Sequence, residues 1–328
     1  MVTMKAIVVE ERGGPEVLQI RHVPRPVVMP GWVLIRVRAF GLNRSEMFTR
    51  QGHSPSVTFP RILGIEAVGE VVESPDGRYE PGQKVAAVMG GMGRAYDGGY
   101  AEYVALPVEQ IMQLDSNLPW EILGAIPEMF LTAFFSLHDG LEIASGQSLL
   151  VRGATSSVGM MSVQYAKQLD LTVFGTTRSE SKRQALLNAG VDEVVIDTGQ
   201  IAKEVRKMLP GGVDRVQELV GVKTLLDSME ATAHKGIVCV TGILGGEWSM
   251  RDFEPIRQIP SNVRLTAYNS GAIKVGAATD ALQAFVVEVE RGIYTLPIDK
   301  VFTFDQIVEA HHYMESNQAN GKLVVLTD

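Results

Sequence analysis

The sequence predicts an α/β protein in which a doubly wound, parallel-sheet domain interrupts a mostly β domain. Three observations carry this. Ahead of residues 118–127, short apolar alternations lie between Gly and Pro clusters, the texture of antiparallel strands joined by tight turns. From Ser148 onward, strand-like and helix-like segments alternate, which implies right-handed crossovers and a parallel sheet. After residue 266 mixed structure returns in a stretch too short for a domain of its own. It is expected to fold back on the first domain, so the β domain is read as residues 1–121 with 267–328, and the parallel domain as 122–266.

The elements follow in order. Residues 5–9, 32–38, 67–72, 84–88 and 100–105 read as strands of the first domain. Residues 148–152 form a short apolar strand, and 158–168 an amphipathic helix with Val158, Met161, Val163 and Ala166 apolar. Strand 171–177 and helix 180–189 come next. Then 194–196, 202–209, 213–219, 224–233 and 236–241 continue the alternation. In the tail, 276–291 is a helix, 298–304 a strand, 305–314 a capped helix and 322–326 a strand.

Composition narrows the function. A chain of 328 residues with 45% hydrophobic and 21% charged residues is an ordinary globular balance and suits two domains. A net charge of -8 without basic runs argues against a nucleic-acid backbone as partner. Cys239 is the only cysteine, so neither an internal disulfide framework nor a thiolate zinc cluster can form. No signal-like N-terminal core or uninterrupted membrane-length apolar stretch is read, and a cytoplasmic protein is expected.

The strongest chemical signal is SLLVRGATSSVGMMSVQYAK (148–167). An apolar strand runs into a turn of small residues and directly into a helix. Amides and the dipole at such a helix start can receive a pyrophosphate. The usual three-glycine fingerprint is only partly met, because its positions fall on Ala154, Ser156 and Gly159. Ser156, Ser157 and Val158 complete the turn, and the serines can donate hydroxyls, cap the helix, or both. Taken alone, the turn also suits an ordinary strand–helix connection. Its place at the start of a βαβ series favours the phosphate. An acid at the end of the second strand would bind free ribose hydroxyls. Here the strand ends at Thr177 and continues Arg178, Ser179, Glu180, Ser181, Lys182. Thr177, Arg178, Ser179 and Lys182 can donate to a 2′-phosphate, which points to NADPH. Ser179 as a helix cap beside two solvated charges is the plainer alternative.

These residues, with GLNRSEMFTRQG (41–52), FPRILGIEAVGEV (59–71), DGGYAEYV (97–104), LTAFFSL (131–137) and GKLVVL (321–326), resemble the medium-chain dehydrogenase/reductases along essentially the whole chain. The likeness is to their zinc-independent quinone oxidoreductases. The resemblance implies a GroES-like β barrel, a Rossmann domain binding NADPH, and reduction of a quinone or an α,β-unsaturated carbonyl. It implies that Asn43 faces the nicotinamide and substrate, that Thr132 bonds near the nicotinamide, that Gly242 admits the cofactor closely, and that Lys322 contributes to cofactor binding. It also suggests a homodimer joined through the last parallel strand, near residues 263–268. The chain departs from many relatives after the Asn motif, where Met47 and Phe48 stand and no tyrosine hydroxyl is available.

No metal is expected. Zinc relatives carry a Cys where this chain has Asn43 and a His-Glu pair where it has Ile65 and Glu66. The six histidines are scattered, and adjacent His311 and His312 would point to different sides of a helix. Hydride addition to an enone or quinone leaves an oxyanion, for which the Asn43 amide is the candidate donor. Glu46 and Arg50, four apart, are expected to pair across a helix turn. An enoyl-thioester reductase, or an NADPH-binding sensor with negligible turnover, is the alternative reading.

Overall fold

The computed structural model describes residues 2–327. The first eight strands are β1 (Thr3–Val9), β2 (Leu18–Pro24), β3 (Trp32–Gly41), β4 (Arg61–Ile62), β5 (Glu66–Glu73), β6 (Lys84–Val88), β7 (Tyr103–Pro107) and β8 (Met112–Gln113). The parallel series is β9 (Ser148–Arg152), β10 (Thr172–Thr177), β11 (Glu193–Ile196), β12 (Val213–Glu218), β13 (Thr232–Val240) and β14 (Arg264–Ala267). The tail contributes β15 (Ile298–Thr303) and β16 (Lys322–Leu326). The helices needed below are α1 (Arg44–Arg50), α2 (Ser157–Gln168), α3 (Leu225–Ala231), α4 (Val275–Glu290) and α5 (Ile307–Glu315).

The chain divides into two units, Met1–Leu131 with Ser270–Asp328, and Thr132–Asn269. In the first, β15-β16-β3-β5-β6-β8 form one sheet path, with β7 also paired to β3; β2-β1-β4 form a smaller sheet. The tail is integral to this unit. β16 pairs antiparallel with β3, Val325 opposite Phe40, and leads parallel to β15. Phe302, Ile307 and Val325 share one core with Phe40, Val85 and Tyr100. The 3-10 turn Phe304–Gln306 that leads into α5 starts with a capping box between Thr303 and Gln306, which satisfies donors that a helix start leaves open.

In the second unit the strand order is β11-β10-β9-β12-β13-β14, with every neighbouring pair parallel. This is the doubly wound order, with its switch between β9 and β12. The alternating pattern in the sequence has its physical cause here. β9 is buried along its full length, so SLLVR is nearly continuously apolar. One core lies around Leu149, Val151 and Val163, and another around Leu150, Val205 and Val238. Adjacent residues of β9 thus feed opposite faces, as strand geometry requires.

Some boundaries differ from the sequence expectation. β13 starts at Thr232, cutting the expected helix 224–233 short at Ala231. The expected helix 180–189 opens with a 3-10 turn before its α segment, Arg183–Ala189. Residues Trp120–Gly140 form a helical run apolar and long enough, by composition, to cross a membrane, although most of its apolar window is buried.

Candidate functional site

A buried polar cluster lies in the first unit. β3 ends at Gly41, and the chain turns through Asn43 into α1. Asn43 occupies the N-cap position with an extended backbone, but its side chain makes no capping bond. It turns instead to two charged partners. Lys322, opening β16, donates from Nζ to Asn43 Oδ1 at 2.6 Å and to Glu66 Oε1 at 2.6 Å. Asn43 Nδ2 donates to Glu66 Oε1 at 2.9 Å. Its remaining contacts, Gly41 O and Glu46 Oε1, are both at 3.4 Å. Glu66 Oε2 accepts the N–H of Glu128 at 2.9 Å. The Lys322 and Glu66 side chains are each 0% exposed. A fixed rotamer for Asn43 follows, because its carbonyl end is held by a cation and its amide end by an anion.

Gly41 makes room for this arrangement. A Cβ there would collide with Lys322 Cε and Glu66 Oε1. Glu46, on α1, also reaches the cluster, where its Oε1 accepts the N–H of Ile65 at 3.0 Å. Burial pushes its carboxyl up to about 7, opposed by the Ile65 amide. The expected Glu46–Arg50 pair is not formed. Arg50 instead bonds Glu315 and the carbonyl of Gly13, and Glu46 and Arg50 are both buried. The i,i+4 rule describes solvent-facing helix surface, and this face of α1 is interior.

Lys322 was expected among the cofactor-binding residues. Its ammonium bonds Asn43 and Glu66 in the interior of the first unit. His311 and His312 do face differently, as adjacent helical residues must. His311 is buried against the Tyr100 hydroxyl at 3.2 Å, and His312 is exposed beside Glu16.

The second unit holds the small-residue turn. Gly153, at φ +90°, ends β9 in a conformation that favours glycine. Ser156 caps α2, accepting the N–H of Gly159 at 3.1 Å. A Cβ on Gly159 would lie 2.6 Å from Gly153 O, so glycine lets the helix seat on the turn. The amides of Ser157 and Val158, in the first turn of α2, make no hydrogen bond within the described residues. Ala154 is buried beneath the turn and donates its N–H to Thr176 O at 3.2 Å. Open amides at the N-terminus of a twelve-residue helix suit a pyrophosphate in charge and donor type.

Beyond β10, Thr177 Oγ1 accepts the N–H of Ser179 at 3.2 Å, and the Ser179 and Ser181 hydroxyls meet at 2.7 Å. Arg178 is exposed and Lys182 half-buried. The two acids nearest in sequence are engaged elsewhere. Glu180 pairs with Arg183, and Asp192 with Lys167 at 2.8 Å. Gly242 follows β13; a Cβ there would fall 2.5 Å from Leu219 O, so close strand-end packing already requires glycine. Thr132 is buried at the start of this unit.

Sequence reasoning missed a second buried network. Arg152, fully buried at the end of β9, makes a bidentate pair with Asp197 at 2.9 and 3.0 Å and reaches Asp227 at 2.7 Å and Ser228 at 3.0 Å. Glu218, at the end of β12, accepts the amides of Val220 and Gly221 at 2.8 and 2.9 Å and the hydroxyl of Ser228. These bonds tie together the ends of β9, β11 and β12 and the start of α3. The available signal was a lone arginine ending an otherwise apolar strand, since a buried guanidinium demands partners.

Among the described residues no group of three His, Cys, Asp or Glu side chains is placed to hold a metal. At the positions where zinc relatives carry ligands stand an amide, a hydrocarbon and a carboxylate already paired with Lys322.

Two family models match the chain. The alcohol dehydrogenase GroES-like domain covers residues 29–116, and a zinc-binding dehydrogenase model covers residues 189–325. Human quinone oxidoreductase is 28% identical over 331 residues, covering 98% of each chain. A solved NAD-dependent alcohol dehydrogenase is 27% identical with TM-score 0.87, over 99% of this chain and 100% of the other. A mycobacterial protein solved with NADPH is 25% identical with TM-score 0.86, at the same coverages. These two structures differ in the cofactor they name.

Proposed function

The chain belongs to the quinone oxidoreductase branch of the medium-chain dehydrogenase/reductases, and from that premise we propose that it reduces a quinone or an α,β-unsaturated carbonyl with NADPH and without zinc. The observation that carries the cofactor choice is the turn after β10. It offers Thr177, Arg178, Ser179 and Lys182, while Glu180 and Asp192 are neutralised by Arg183 and Lys167. A 2′-phosphate meets donors there and no free acid. The pyrophosphate is assigned to the turn Ala154–Gly159, with the Ser157 and Val158 amides as donors. Thr132 and Gly242 are kept as further cofactor contacts.

Bound NADPH supplies the hydride. The chain's part is to orient the acceptor and stabilise the oxygen that gains charge. Asn43 is suited to that task. Lys322 and Glu66 hold its amide plane, and one Nδ2 hydrogen goes to Glu66. The other has only the two 3.4 Å contacts and is left for the acceptor oxygen. A preorganised donor of this kind needs no reorientation as charge develops. On this reading Lys322 acts through Asn43 rather than on the cofactor. Without a metal, the Lys322 ammonium is the fixed positive charge beside the donor.

Steady-state turnover of a quinone, a small enone and an enoyl thioester, each with NADPH and with NADH, tests the proposal. Turnover of the first two with NADPH is expected. A preference for the thioester or for NADH overturns the corresponding part, and absence of turnover with all three overturns the enzyme reading. For assembly, we propose a homodimer through β14, which pairs on one side with β13 and ends its sheet. Sedimentation of the wild type and of a variant with proline in β14 tests this.

A further inference from the structure

Counting charge through the buried cluster leaves one group over. Lys322 is matched by Glu66, and Arg50 by Glu315. Glu46 has no cation of its own. Its Oε2 is buried without a hydrogen-bond partner, and its Oε1 has only the Ile65 amide and the distant Asn43 Nδ2. Its charged neighbours from each side are Glu66 on β5, Lys322 on β16 and, one helical turn on, Arg50. Tyr100, bonded to His311 of α5, is the neutral ionisable group beside them. An ionised carboxylate with one unpartnered oxygen in such a place is costly, and a neutral acid is not.

The same geometry gives its ionisation a consequence. We infer that Glu46 holds a proton at rest, and that losing it draws the second Asn43 Nδ2 hydrogen onto Glu46 and away from the acceptor. Glu46 is then a positioning residue that acts through Asn43 and sets an alkaline limit on turnover. The inference rests on the reading of Asn43 as the oxyanion donor. The direction agrees with the burial-driven rise of the Glu46 carboxyl to about 7.

Three measurements test it, two of them on protein without cofactor or acceptor. Infrared spectra of the wild type should contain a protonated-carboxyl band at about pH 6 that vanishes by about pH 9. Glu46→Gln should lack that band. The side-chain amide resonance of Asn43 in ¹⁵N-labelled protein should shift with the same midpoint, and stay flat in Glu46→Gln. Turnover of the wild type should fall roughly a hundredfold at two pH units above that midpoint, and that of Glu46→Gln less than about twofold. A missing band, a flat Asn43 resonance in the wild type, or an alkaline limb retained in Glu46→Gln overturns the inference. If Glu46→Gln does not fold, the wild-type infrared and resonance titrations decide alone. If no acceptor is turned over, the proposed activity fails, and the same two titrations still decide whether Glu46 controls Asn43.

Discussion

Replacing Lys322 with methionine removes the cation from the buried cluster while nearly preserving side-chain volume. In the native protein its ammonium makes two 2.6 Å bonds, and both it and Glu66 are shielded from water. The substitution leaves Glu66 as a buried anion with two neutral donors, Asn43 Nδ2 and the Glu128 amide. Breaking one partner of such a pair costs about 3–5 kcal/mol. For a unit of this size, each kcal/mol shifts the melting temperature by roughly 2–4 °C, so a loss of roughly 10 °C is expected. Glu66→Gln should cost a comparable amount by stranding the ammonium. The double variant should lose about 2–4 kcal/mol less than the sum of the singles, because neither charge then remains unpaired. Scanning calorimetry of the four proteins gives the cycle. A Lys322→Met shift below roughly 2 °C, or a strictly additive double variant, would refute the argument that these charges depend on each other. Cofactor affinity provides a separate check. Lys322→Met should bind NADPH as the wild type does, whereas a cofactor-binding Lys322 would lose affinity.

Gly41→Ala should perturb the same cluster from the backbone side, because its Cβ collides with both charged partners; a lower melting temperature and lost turnover are expected. Asn43→Ala should lower kcat by roughly two to three powers of ten with little change in the NADPH dissociation constant, as loss of an oxyanion donor does. Replacing Arg178 and Lys182 together by alanine should raise KM for NADPH and leave that for NADH nearly unchanged; equal changes would assign both residues to the fold. For Glu46, the folded carboxyl lies above its ordinary value, at about 7 rather than 4.5. The folded state therefore keeps a proton that the unfolded chain releases, and stability falls as pH rises through that window and levels off above it. Glu46→Gln should escape a penalty of order 3 kcal/mol, so its melting temperature should gain on the wild type between about pH 5 and pH 8.

Local pattern made the parallel unit legible. β9 was visible because a strand buried on both faces must be apolar throughout, and α2 because a small-residue turn and a Ser cap precede its apolar face. β13 was placed too late because Thr232 and the residues after it lack the apolar run that marks its second half. The pair Glu46 and Arg50 shows a different limit. Spacing describes neighbours on one helix, but both side chains found partners on other segments. The contact between Asn43 and Lys322 spans 279 positions, and no local period encodes it. Their separate motifs were recognised, but the shared carboxylate of Glu66 that couples them emerges only in the folded chain.

The placement of β16 also sets an order of assembly. The second unit is one uninterrupted segment, Thr132–Asn269, whereas the first needs strands from both ends of the chain. At about 5–20 residues per second, the ribosome delivers Lys322 roughly a quarter-minute to a minute after Asn43. Until then β3 lacks its β16 neighbour and Glu66 has no ammonium to face. The parallel unit can fold during that interval from contacts within itself. The cluster around Asn43 therefore forms only after the whole parallel unit has been synthesised, and chains that stop short of β16 would carry a finished parallel unit while β3 keeps an open edge.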